Sequence, residues 1–325
     1  MAIPAYGVGP DTPATWVDED RPLALIDLAA WPADRAIGPP PPFPLIGIGD
    51  PGHPLAAQLD TVIEGPVSLD RVVANIELAP RTAAVLVQLL RSIEGLPMEP
   101  ALTIESLCMA MLQGSAEHAA WLAAEVATPS APPGHVLVER NGDRLSITLD
   151  RPWALNAIDR AMRDDLQAAL AVAVLDRDIR SVVLRGTGAA FSVGADLAEF
   201  GTTRDPATTH AIRMRTSPAR TLIRFTGQIE AHVQGGCVGS GLELAAFATR
   251  LTASESAWFH LPELAMGIIP GAGGCVSVMR RIGRQRAALM ILSGRRIDAR
   301  TALRWGLIDA IVDAPPVDID GAHPI

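Results

Sequence analysis

The chain has 325 residues, of which 49% are hydrophobic, enough apolar material for one large domain or two ordinary ones. Its formal net charge of -9 argues against a general nucleic-acid binder, which needs a basic face, so we expect no nucleic-acid partner. All 27 basic residues are arginine, and the absence of lysine excludes Schiff-base chemistry, pyridoxal phosphate attachment and the P-loop.

The cysteines and the first residues bear on compartment and metal content. Cys108, Cys237 and Cys275 are far apart and odd in number, and they lack the paired spacing of a zinc site or a disulfide framework. The first twenty residues have no basic segment followed by an apolar core, and no uninterrupted apolar run reaches membrane-spanning length. We therefore predict a cytoplasmic protein with no metal site and no membrane contact.

Residues 1–130 are predicted to form an N-terminal accessory region that is mostly helical. Three segments, 81–95, 101–114 and 116–127, carry apolar residues at spacings of three and four, and Gly95 and Gly114 are helix stops. Short apolar runs at 22–28 and 43–49 are candidates for strands. We find no catalytic constellation in this region. The proline-rich stretch at 127–135 is the best internal boundary.

Residues 134–325 alternate strands and helices and predict an α/β layered domain. Two alternating runs around Asn141 and Gly142 predict a hairpin. A helix follows, because Met162, Leu166 and Leu170 are four apart and Asp159 is a suitable N-cap. The next apolar run, 179–188, is predicted to be a buried strand that ends in glycine.

Two glycine-containing turns, at 190–201 and 229–250, each lead from a strand into a helix. Alone, the first is a tight connection capped by Asp196, and Glu243 in the second is a partner for the dipole of a helix that starts near Ser240. Together, however, they could present two backbone N–H donors to one oxygen, the arrangement that a developing oxyanion requires.

Five segments carry a family resemblance, namely "DRPWALNAIDRAM", "AFSVGADLAEF", "GGCVGSGLELA", "WFHLPELAMGIIPGAGG" and "ILSGRRIDARTALRWGLIDAIV". In this order and spacing the chain resembles the enoyl-CoA hydratase/isomerase (crotonase) superfamily from about His135 to Val312. The resemblance implies a spiral of ββα units, an acyl-CoA thioester as ligand, and an oxyanion hole for the thioester carbonyl. It implies no cofactor, since coenzyme A is part of the substrate.

Carried over by position, the resemblance makes the backbone N–H groups of Val193 and Ser240 the oxyanion donors, where alanine and glycine are common in the family. Glu243 and Glu263 match the two glutamates that flank the reacting carbons in the hydratases. The substrate and CoA site would include Leu155, Asn156, Ala157, Val193, Gly194, Ala195, Asp196 and Gly239, with residues 155–157 near the nucleotide end.

The predicted activity is that of an enoyl-CoA hydratase, a hydro-lyase of fatty acid metabolism that adds water to, or removes it from, an α,β-unsaturated acyl-CoA. Glu243 is assigned to water activation and Glu263 to proton transfer at the α-carbon. The apolar residues around Glu263, which include Leu261 and Leu264, are expected to desolvate it and favour its neutral form.

Several alternatives stay open at this point. Another enolate reaction would use the same oxyanion hole, whether isomerisation, C–C hydrolysis or cleavage, thioester hydrolysis or a cofactor-independent oxygenation. A non-catalytic acyl-CoA-binding subunit is the alternative from another class, although such a subunit has no reason to keep two partly buried acids.

The chain also departs from the family pattern at its ends. The match stops near Val312, so we expect the closing helices used for trimer contacts and for covering the acyl site to be missing. A homo-oligomer, a trimer or a multiple of one, is expected on the resemblance, and the short C-terminus weakens that expectation. Residues 1–130 are hypothesised to replace the missing helices as a lid or an assembly surface.

Overall fold

The computed structural model describes residues 6–12, 20–125 and 131–313. The N-terminal region begins with a small parallel sheet of β1 (Gly7–Val8), β2 (Ala24–Asp27), β3 (Leu45–Ile48) and β4 (Thr61–Val62), arranged in chain order. The strands β2 and β3 lie inside the two predicted apolar runs, which are thus confirmed as strands. The two-residue strands β1 and β4 were not predicted, because two residues carry no periodicity.

Four helices complete this region, namely α1 (Leu69–Leu78), α2 (Pro80–Ile93), α3 (Met98–Gln113) and α4 (Ala116–Ala124). The structure confirms the three predicted helices and adds α1, which buries only Val72 and Ile76 among its ten residues. The helix α2 lacks a side-chain cap of its own. Glu117 of α4 supplies one, because its carboxylate accepts hydrogen bonds from the backbone N–H groups of Arg81 (2.8 Å) and Thr82 (2.9 Å).

The region from residue 134 onward, which the family resemblance makes the catalytic region, opens with the predicted hairpin. The strands β5 (His135–Asn141) and β6 (Arg144–Asp150) pair antiparallel across a two-residue turn, Gly142–Asp143. The helix α5 (Arg160–Leu175) follows, and Asp159 caps it by accepting a hydrogen bond of 2.8 Å from the Met162 N–H group. Both features confirm the prediction from the sequence.

The remaining strands are β7 (Ser181–Gly186), β8 (Gln228–Val233), β9 (Gly236–Val238), β10 (Arg250–Ala253), β11 (Trp258–His260), β12 (Ile297–Asp298) and β13 (Ala310–Ile311). One sheet has the order β13-β10-β8-β7-β6-β5 and is parallel except for the hairpin. A second sheet has the strand order β12-β11-β9. Its strand β9 follows β8 in the chain, so the chain passes from the first sheet to the second within the second glycine turn. The remaining helices are α6 (Pro206–Thr216), α7 (Pro218–Leu222), α8 (Ser240–Ala245), α9 (Gly274–Ser293) and α10 (Ala299–Trp305). This is the predicted α/β class.

The two regions share one hydrophobic core. Leu86 and Leu90 of α2, Leu242 of α8 and Leu289 of α9 all belong to a single cluster of buried side chains, and α2 packs directly against α9. A second, smaller hydrophobic cluster includes residues of the small N-terminal sheet. The boundary predicted near residue 130 falls partly on residues 126–130, which lie outside the described residues, so the division into residues 1–130 and 134–325 stays a prediction.

Ion pairs also join the regions. The arginine-rich turn of α9 pairs with acids of the N-terminal region: Arg284 Nε lies 2.8 Å from Glu94, and Arg286 Nε lies 2.7 Å from Glu64. At the end of α9, Arg71 Nε and Asn75 Nδ2 of α1 each donate a hydrogen bond of 2.7 Å to the Ser293 carbonyl. Donors at a helix C-terminus satisfy carbonyls that the helix itself leaves unpaired.

Within the part of the chain that the structure describes, no single helix is long and apolar enough to cross a membrane. Among the helices that the structure describes, only α1 and α2 taken together reach that length, and a bend of 108° separates them.

Candidate active site

The first glycine turn places its amides differently from the prediction. The N–H group of Val193 donates a hydrogen bond of 3.1 Å to the Leu155 carbonyl, so it is not free to bind an oxyanion. The N–H group of Gly194 donates to Ser192 Oγ at 3.2 Å. The assignment of Val193 as an oxyanion donor is therefore corrected, because a backbone N–H group that is already paired has no hydrogen left to offer.

The next amide, that of Ala195, is the available donor. Residue 158 forms a parallel bridge with residue 195, in which Ile158 N–H donates to Gly194 O (2.7 Å) and Ile158 O accepts from Asp196 N–H (3.0 Å). In a parallel bridge the middle residue directs its own N–H group to the opposite side. Among residues 6–12, 20–125 and 131–313, the Ala195 amide has no acceptor, and the residue lines a cavity.

The second glycine turn lies against the first. Gly239 has a φ of +48°, a left-handed conformation that favours glycine. A side-chain carbon added at Gly194 would lie 3.0 Å from the Val238 carbonyl oxygen and 3.6 Å from Gly239 Cα, so the two turns are in contact. The following amide, Ser240, begins α8 and has no acceptor among the described residues. Two unpaired amides, Ala195 and Ser240, thus follow two touching glycines.

Glu243 is held in the first turn of α8 and is buried. Its Oε2 accepts hydrogen bonds from the amides of Ala272 (2.7 Å) and Gly274 (2.8 Å). Burial raises the pKa of Glu243 to about 7, while the two amides and the positive charge of Arg213 act in the opposite direction. A side-chain carbon at Gly274 would lie 2.5 Å from Glu243 Cγ, so this loop approaches the acid more closely than any other residue type allows.

Glu263 begins a short 3-10 turn, Glu263–Met266, directly after Pro262. It is also buried, and a side-chain carbon at Gly239 would come within 2.8 Å of its Oε1, so the carboxyl lies beside the second glycine turn. Burial raises the pKa of Glu263 well above its usual range, and the negative charges of Glu243 and Glu105 raise it further. Its Oε2 is buried and has no hydrogen-bond partner among the described residues.

A cavity of about 570 Å³ brings these groups together. Ala195, Ser240, Glu243 and Glu263 line it, and so do apolar side chains such as Ile268. Ser240 Oγ and Glu263 Oε2 are buried without a partner in the described chain, and buried polar groups in folded proteins are normally paired. The cavity therefore has an apolar body, two unpaired amides, two acids and polar atoms that a bound ligand or water could satisfy.

The predicted substrate-binding residues divide into two sets. Val193, Gly194, Ala195, Asp196 and Gly239 line the cavity. Leu155, Asn156 and Ala157 do not line it, although the neighbouring Ile158 does. For Leu155 and Ala157, contact with the nucleotide end of CoA stays a prediction.

The Asn156 side chain has a structural task instead. Its Nδ2 donates to the carbonyls of Thr187 (2.8 Å) and Ala190 (2.9 Å), and its Oδ1 accepts from the Arg151 N–H group (2.8 Å). The residue is fully buried. The donors and acceptor of this side chain hold the first glycine turn and are not available to bind CoA, whereas the placement of Asn156 near the nucleotide end stays a prediction. Asp196 likewise accepts from Arg151 Nη1 (2.7 Å) and caps the following turn, as predicted.

Two groups of the site were missed from the sequence. Glu105 lies on α3 of the N-terminal region, is buried, and accepts a hydrogen bond of 2.8 Å from the Gly273 amide. Arg213 of α6 lines the cavity, and burial lowers its pKa to about 10 while Glu105 and Glu243 raise it. A signal for Glu105 was present, since it lies three residues after Leu102 and four before Met109, on the apolar face of a predicted helix.

The acids of this site are not arranged as metal ligands. Across the three ranges that the structure covers, no group of three or more histidine, cysteine, aspartate or glutamate side chains is placed to hold a metal ion.

Comparison with known proteins decides the family. The enoyl-CoA hydratase/isomerase family model matches residues 139–319. The chain belongs to this family. The relatives include a "Probable enoyl-CoA hydratase" of Rhizobium meliloti, 37% identical over 54% of this chain and 68% of that protein. The 2,3-dehydroadipyl-CoA hydratase of Escherichia coli is also 37% identical, with the same coverage of each chain.

Solved structures agree with this assignment. The crystal structure of enoyl-CoA hydratase from Thermoplasma volcanium superposes with a TM-score of 0.51 at 36% identity, covering 55% of this chain and 72% of that one. The crystal structure of enoyl-CoA hydratase from Bacillus anthracis gives a TM-score of 0.51 at 32% identity, covering 55% and 70%. The predicted family and its fold are thus confirmed for the catalytic region. The N-terminal region precedes it in the same chain.

Proposed function

We propose that this chain is an enoyl-CoA hydratase, a hydro-lyase that adds water reversibly to an α,β-unsaturated acyl-CoA thioester. Family membership supports an enzyme of the crotonase type that acts on acyl-CoA. The observation that carries the finer proposal is the cavity itself, which is lined by two residues whose amides have no acceptor in the described chain and by two buried acids with raised pKa values.

The amides would act on the thioester carbonyl. Donors from Ala195 and Ser240 polarise that carbonyl and make the β-carbon electrophilic, and they stabilise the negative charge that the oxygen acquires in the enolate. Removal of one such donor typically costs about 3 kcal/mol of transition-state stabilisation in a dry site. This interaction strengthens as charge develops, which is the condition for lowering the barrier rather than only tightening binding.

The two acids would divide the proton transfers. Two amide hydrogen bonds and the charge of Arg213 favour the ionised form of Glu243, so this residue accepts a proton from the attacking water. The resulting hydroxide adds to the β-carbon, and the electron pair of the double bond moves to the thioester as an enolate. Glu263, whose pKa is raised well above its usual range, supplies a proton to the α-carbon. The proton taken up by Glu243 then returns to Glu263 through solvent, which restores both acids and leaves the net addition of one water.

The test compares the wild type with Glu243→Gln and Glu263→Gln. The rate is measured as the fall in absorbance of the conjugated enoyl thioester, because hydration removes its double bond. Each variant should lower kcat by about 10²- to 10⁴-fold, because each removes one general acid or base. Glu139→Gln, on an exposed stretch of β5, is the matched control. Unimpaired turnover in both active-site variants would refute the two-carboxylate assignment.

Reaction in D₂O with ¹⁸O-labelled water separates hydration from the other enolate reactions. A hydratase incorporates one deuterium at the α-carbon and one labelled oxygen at the β-carbon of the product. Deuterium without oxygen would identify an isomerase, and release of free coenzyme A would identify a thioester hydrolase. Thioester binding without turnover over a panel of acyl groups would favour a non-catalytic binding subunit.

The N-terminal region would complete the acyl site. Met109 and Gln113 of α3 line the cavity together with the catalytic residues, which supports the hypothesis that this region covers the acyl chain. The proposal has four further parts. The enzyme would need no cofactor beyond the coenzyme A of its substrate, would be cytoplasmic, would act in fatty acid metabolism and would form a homo-oligomer. Turnover by the metal-free, dialysed protein and its mass by light scattering test the first and last of these.

A further inference from the structure

We propose that Glu105, a residue of the N-terminal region, is a positioning residue of this active site. It anchors the loop that holds Glu243 and adds a third carboxyl group to the electrostatic environment of Glu263. The inference rests on the proposed function for its kinetic test, whereas a spectroscopic titration of Glu263 tests it without turnover.

Three consecutive amides of one loop connect Glu105 to Glu243. The amides of Ala272 and Gly274 donate to Glu243 Oε2 at 2.7 Å and 2.8 Å. The amide between them, that of Gly273, donates to Glu105 Oε1 at 2.8 Å. Two carboxyl groups from different regions of the chain thus bind alternate amides of the same loop. A movement of this loop away from Glu105 would carry the two donors of Glu243 with it.

Glu105 also caps the helix that follows this loop. The loop leads into α9, whose N-cap is Gly273, a residue with a φ of +112° and no side chain to cap the helix. The first amides of a helix need an outside acceptor, and a carboxylate there also interacts favourably with the helix dipole. Glu105 supplies that acceptor from a neighbouring helix, as Glu117 does for α2.

Packing keeps Glu105 in place. Its neighbour on α3, Met109, lies against the same loop, because a side-chain carbon at Gly271 would be 2.5 Å from Met109 Cγ. The position of α3 relative to the loop is therefore set by van der Waals contact as well as by the hydrogen bond. A single rigid contact of this kind can decide whether a catalytic group is within reach of its substrate, since a misplacement of about 1 Å costs about 10²-fold in rate.

The burial of Glu105 also has a cost in stability, which offsets part of what its hydrogen bond to Gly273 contributes. Its Oε2 is buried without a hydrogen bond of ordinary geometry in the described part of the chain, although the amides of Cys275 and Val276 lie near enough to favour the ionised carboxyl. An unpaired buried carboxyl oxygen reduces stability, typically by about 1–3 kcal/mol for a polar group. Burial of a group at this cost points to a role in the site that it adjoins.

The charges around Glu105 define its electrostatic effect. Burial raises its pKa well above the usual range, and the charge of Glu243 raises it further, whereas the amides of Gly273, Cys275 and Val276 lower it. Ionised Glu105 in turn raises the pKa of Glu263. The titratable and charged groups facing Glu105 are Glu243, Glu263, Arg213, Cys108 and Cys275.

The kinetic test uses Glu105→Leu, Glu105→Gln and the control Glu99→Gln, a half-exposed carboxyl on the same helix. Glu105→Leu leaves the Gly273 amide unpaired and should lower kcat by about 10- to 100-fold with a much smaller change in KM. Glu105→Gln keeps an acceptor oxygen, so kcat at neutral pH should recover to within about threefold of the wild type, as a positioning role requires.

The pH profile separates this role from a purely structural one. Glu105→Gln removes a negative charge that raises the pKa of Glu263, so the alkaline limb of kcat should move to lower pH. The acid limb, which reports Glu243, should move little, because Glu105 is not among the groups that shift the pKa of Glu243. Wild-type limbs in Glu105→Gln together with wild-type kcat in Glu105→Leu would overturn the proposal.

A spectroscopic titration decides the question without turnover. The protonated carboxyl C=O band of Glu263, assigned by its loss in Glu263→Gln, is followed by infrared spectroscopy against pH in the wild type and in Glu105→Gln. The midpoint should be lower in Glu105→Gln. An unchanged midpoint would contradict the electrostatic part of the proposal even if wild-type protein hydrates no enoyl-CoA, and a shifted midpoint would support it. If Glu105→Leu fails to fold, the alkaline limb and the infrared midpoint of Glu105→Gln still distinguish the two outcomes.

Discussion

The catalytic region and the N-terminal region use unpaired backbone groups in opposite ways. The catalytic region leaves the amides of Ala195 and Ser240 without an acceptor in the described chain, at the edge of a cavity. The N-terminal region instead places polar side chains at helix ends, with Glu105 at the start of α9 and Arg71 and Asn75 at its end. At the helix ends an unpaired amide would reduce stability, and the N-terminal region supplies an acceptor for it. In the catalytic region an unpaired amide would instead bind the substrate oxygen.

This difference explains why an accessory region can matter to catalysis without touching the reacting atoms. The helix α9 begins in the loop that binds Glu243, and both of its ends are held by the N-terminal region. The core that supports the helix is also common to both regions. The regions are therefore expected to fold and function as one unit.

The largest loss of stability should come from cavities created by substitution in the core that the two regions share. Leu90→Ala in α2 and Leu289→Ala in α9 each remove a buried side chain from the shared core. Each should lower the free energy of unfolding by about 2–5 kcal/mol. Urea denaturation, followed by both tryptophan fluorescence and far-ultraviolet circular dichroism, measures this. Both variants should keep one cooperative transition. Two resolved transitions, with only one of them shifted by each variant, would show that the regions are independent.

A smaller effect is expected where the loop meets Glu243. Gly274→Ala places a carbon 2.5 Å from Glu243 Cγ, so the carboxylate or the loop must move. The expected result is a fall in kcat of about 10²-fold, because the misplaced base no longer reaches the attacking water. The control is Gly9→Ala, where an added carbon would have no neighbour within 4 Å. Equal kcat in Gly274→Ala and the wild type would show that the position of this carboxylate is not critical.

The next effect is that of pH on the rate. Glu243 must be ionised to accept a proton and has a pKa of about 7, so kcat should fall about tenfold for each pH unit well below 7. Glu263 must be protonated, and its pKa is raised, so activity should persist above neutral pH and fall only at alkaline pH. Steady-state rates from about pH 5 to 10 in buffers of constant ionic strength measure both limbs. A plateau that extends down to the acid end of this range would contradict the assignment.

The raised pKa of Glu263 also predicts how the stability of the protein depends on pH. The pKa of Glu263 in the folded protein is raised above its ordinary value of 4.5, so the stability linked to it is fully present below that pH and is lost as pH rises through the folded value. Glu263→Gln, which has no such loss, should therefore unfold at a higher temperature than the wild type at about pH 8. The two proteins should be close to one another at about pH 4.

The smallest effect should come from the end of α9. Arg71→Ala removes a hydrogen bond of 2.7 Å to the Ser293 carbonyl and should lower the free energy of unfolding by about 1–2 kcal/mol. Arg81→Ala is the matched control, because that arginine is 74% exposed and its ion pair with Asp20 should contribute less than about 0.5 kcal/mol. Chemical denaturation distinguishes the two. Equal losses would mean that the cap on α9 contributes no more than an exposed pair.

Much of the catalytic region could be predicted from local pattern. The hairpin at Gly142, the helix capped by Asp159 and the helix that begins at Ser240 all depend on residues within a few positions of one another. Glu243 and Glu263 were found because each is part of a short motif that resembles the family, and the structure brings both to one cavity. Glu105 has no such motif and was missed, although an acid on the apolar face of a helix is itself a signal of burial.

The sequence by itself determined the α/β class, the family and the two glycine turns, because these follow from periodicity and from motifs that span a few residues. Only the tertiary structure decided which amide of the first turn is free, since the pairing of Val193 with Leu155 and the bridge of Ile158 with Ala195 join segments far apart in the chain. It also decided that Glu105 reaches the loop of Gly273, 168 residues away. Hydrogen bonds between distant segments leave no local pattern, and for that reason they could not be predicted from the sequence.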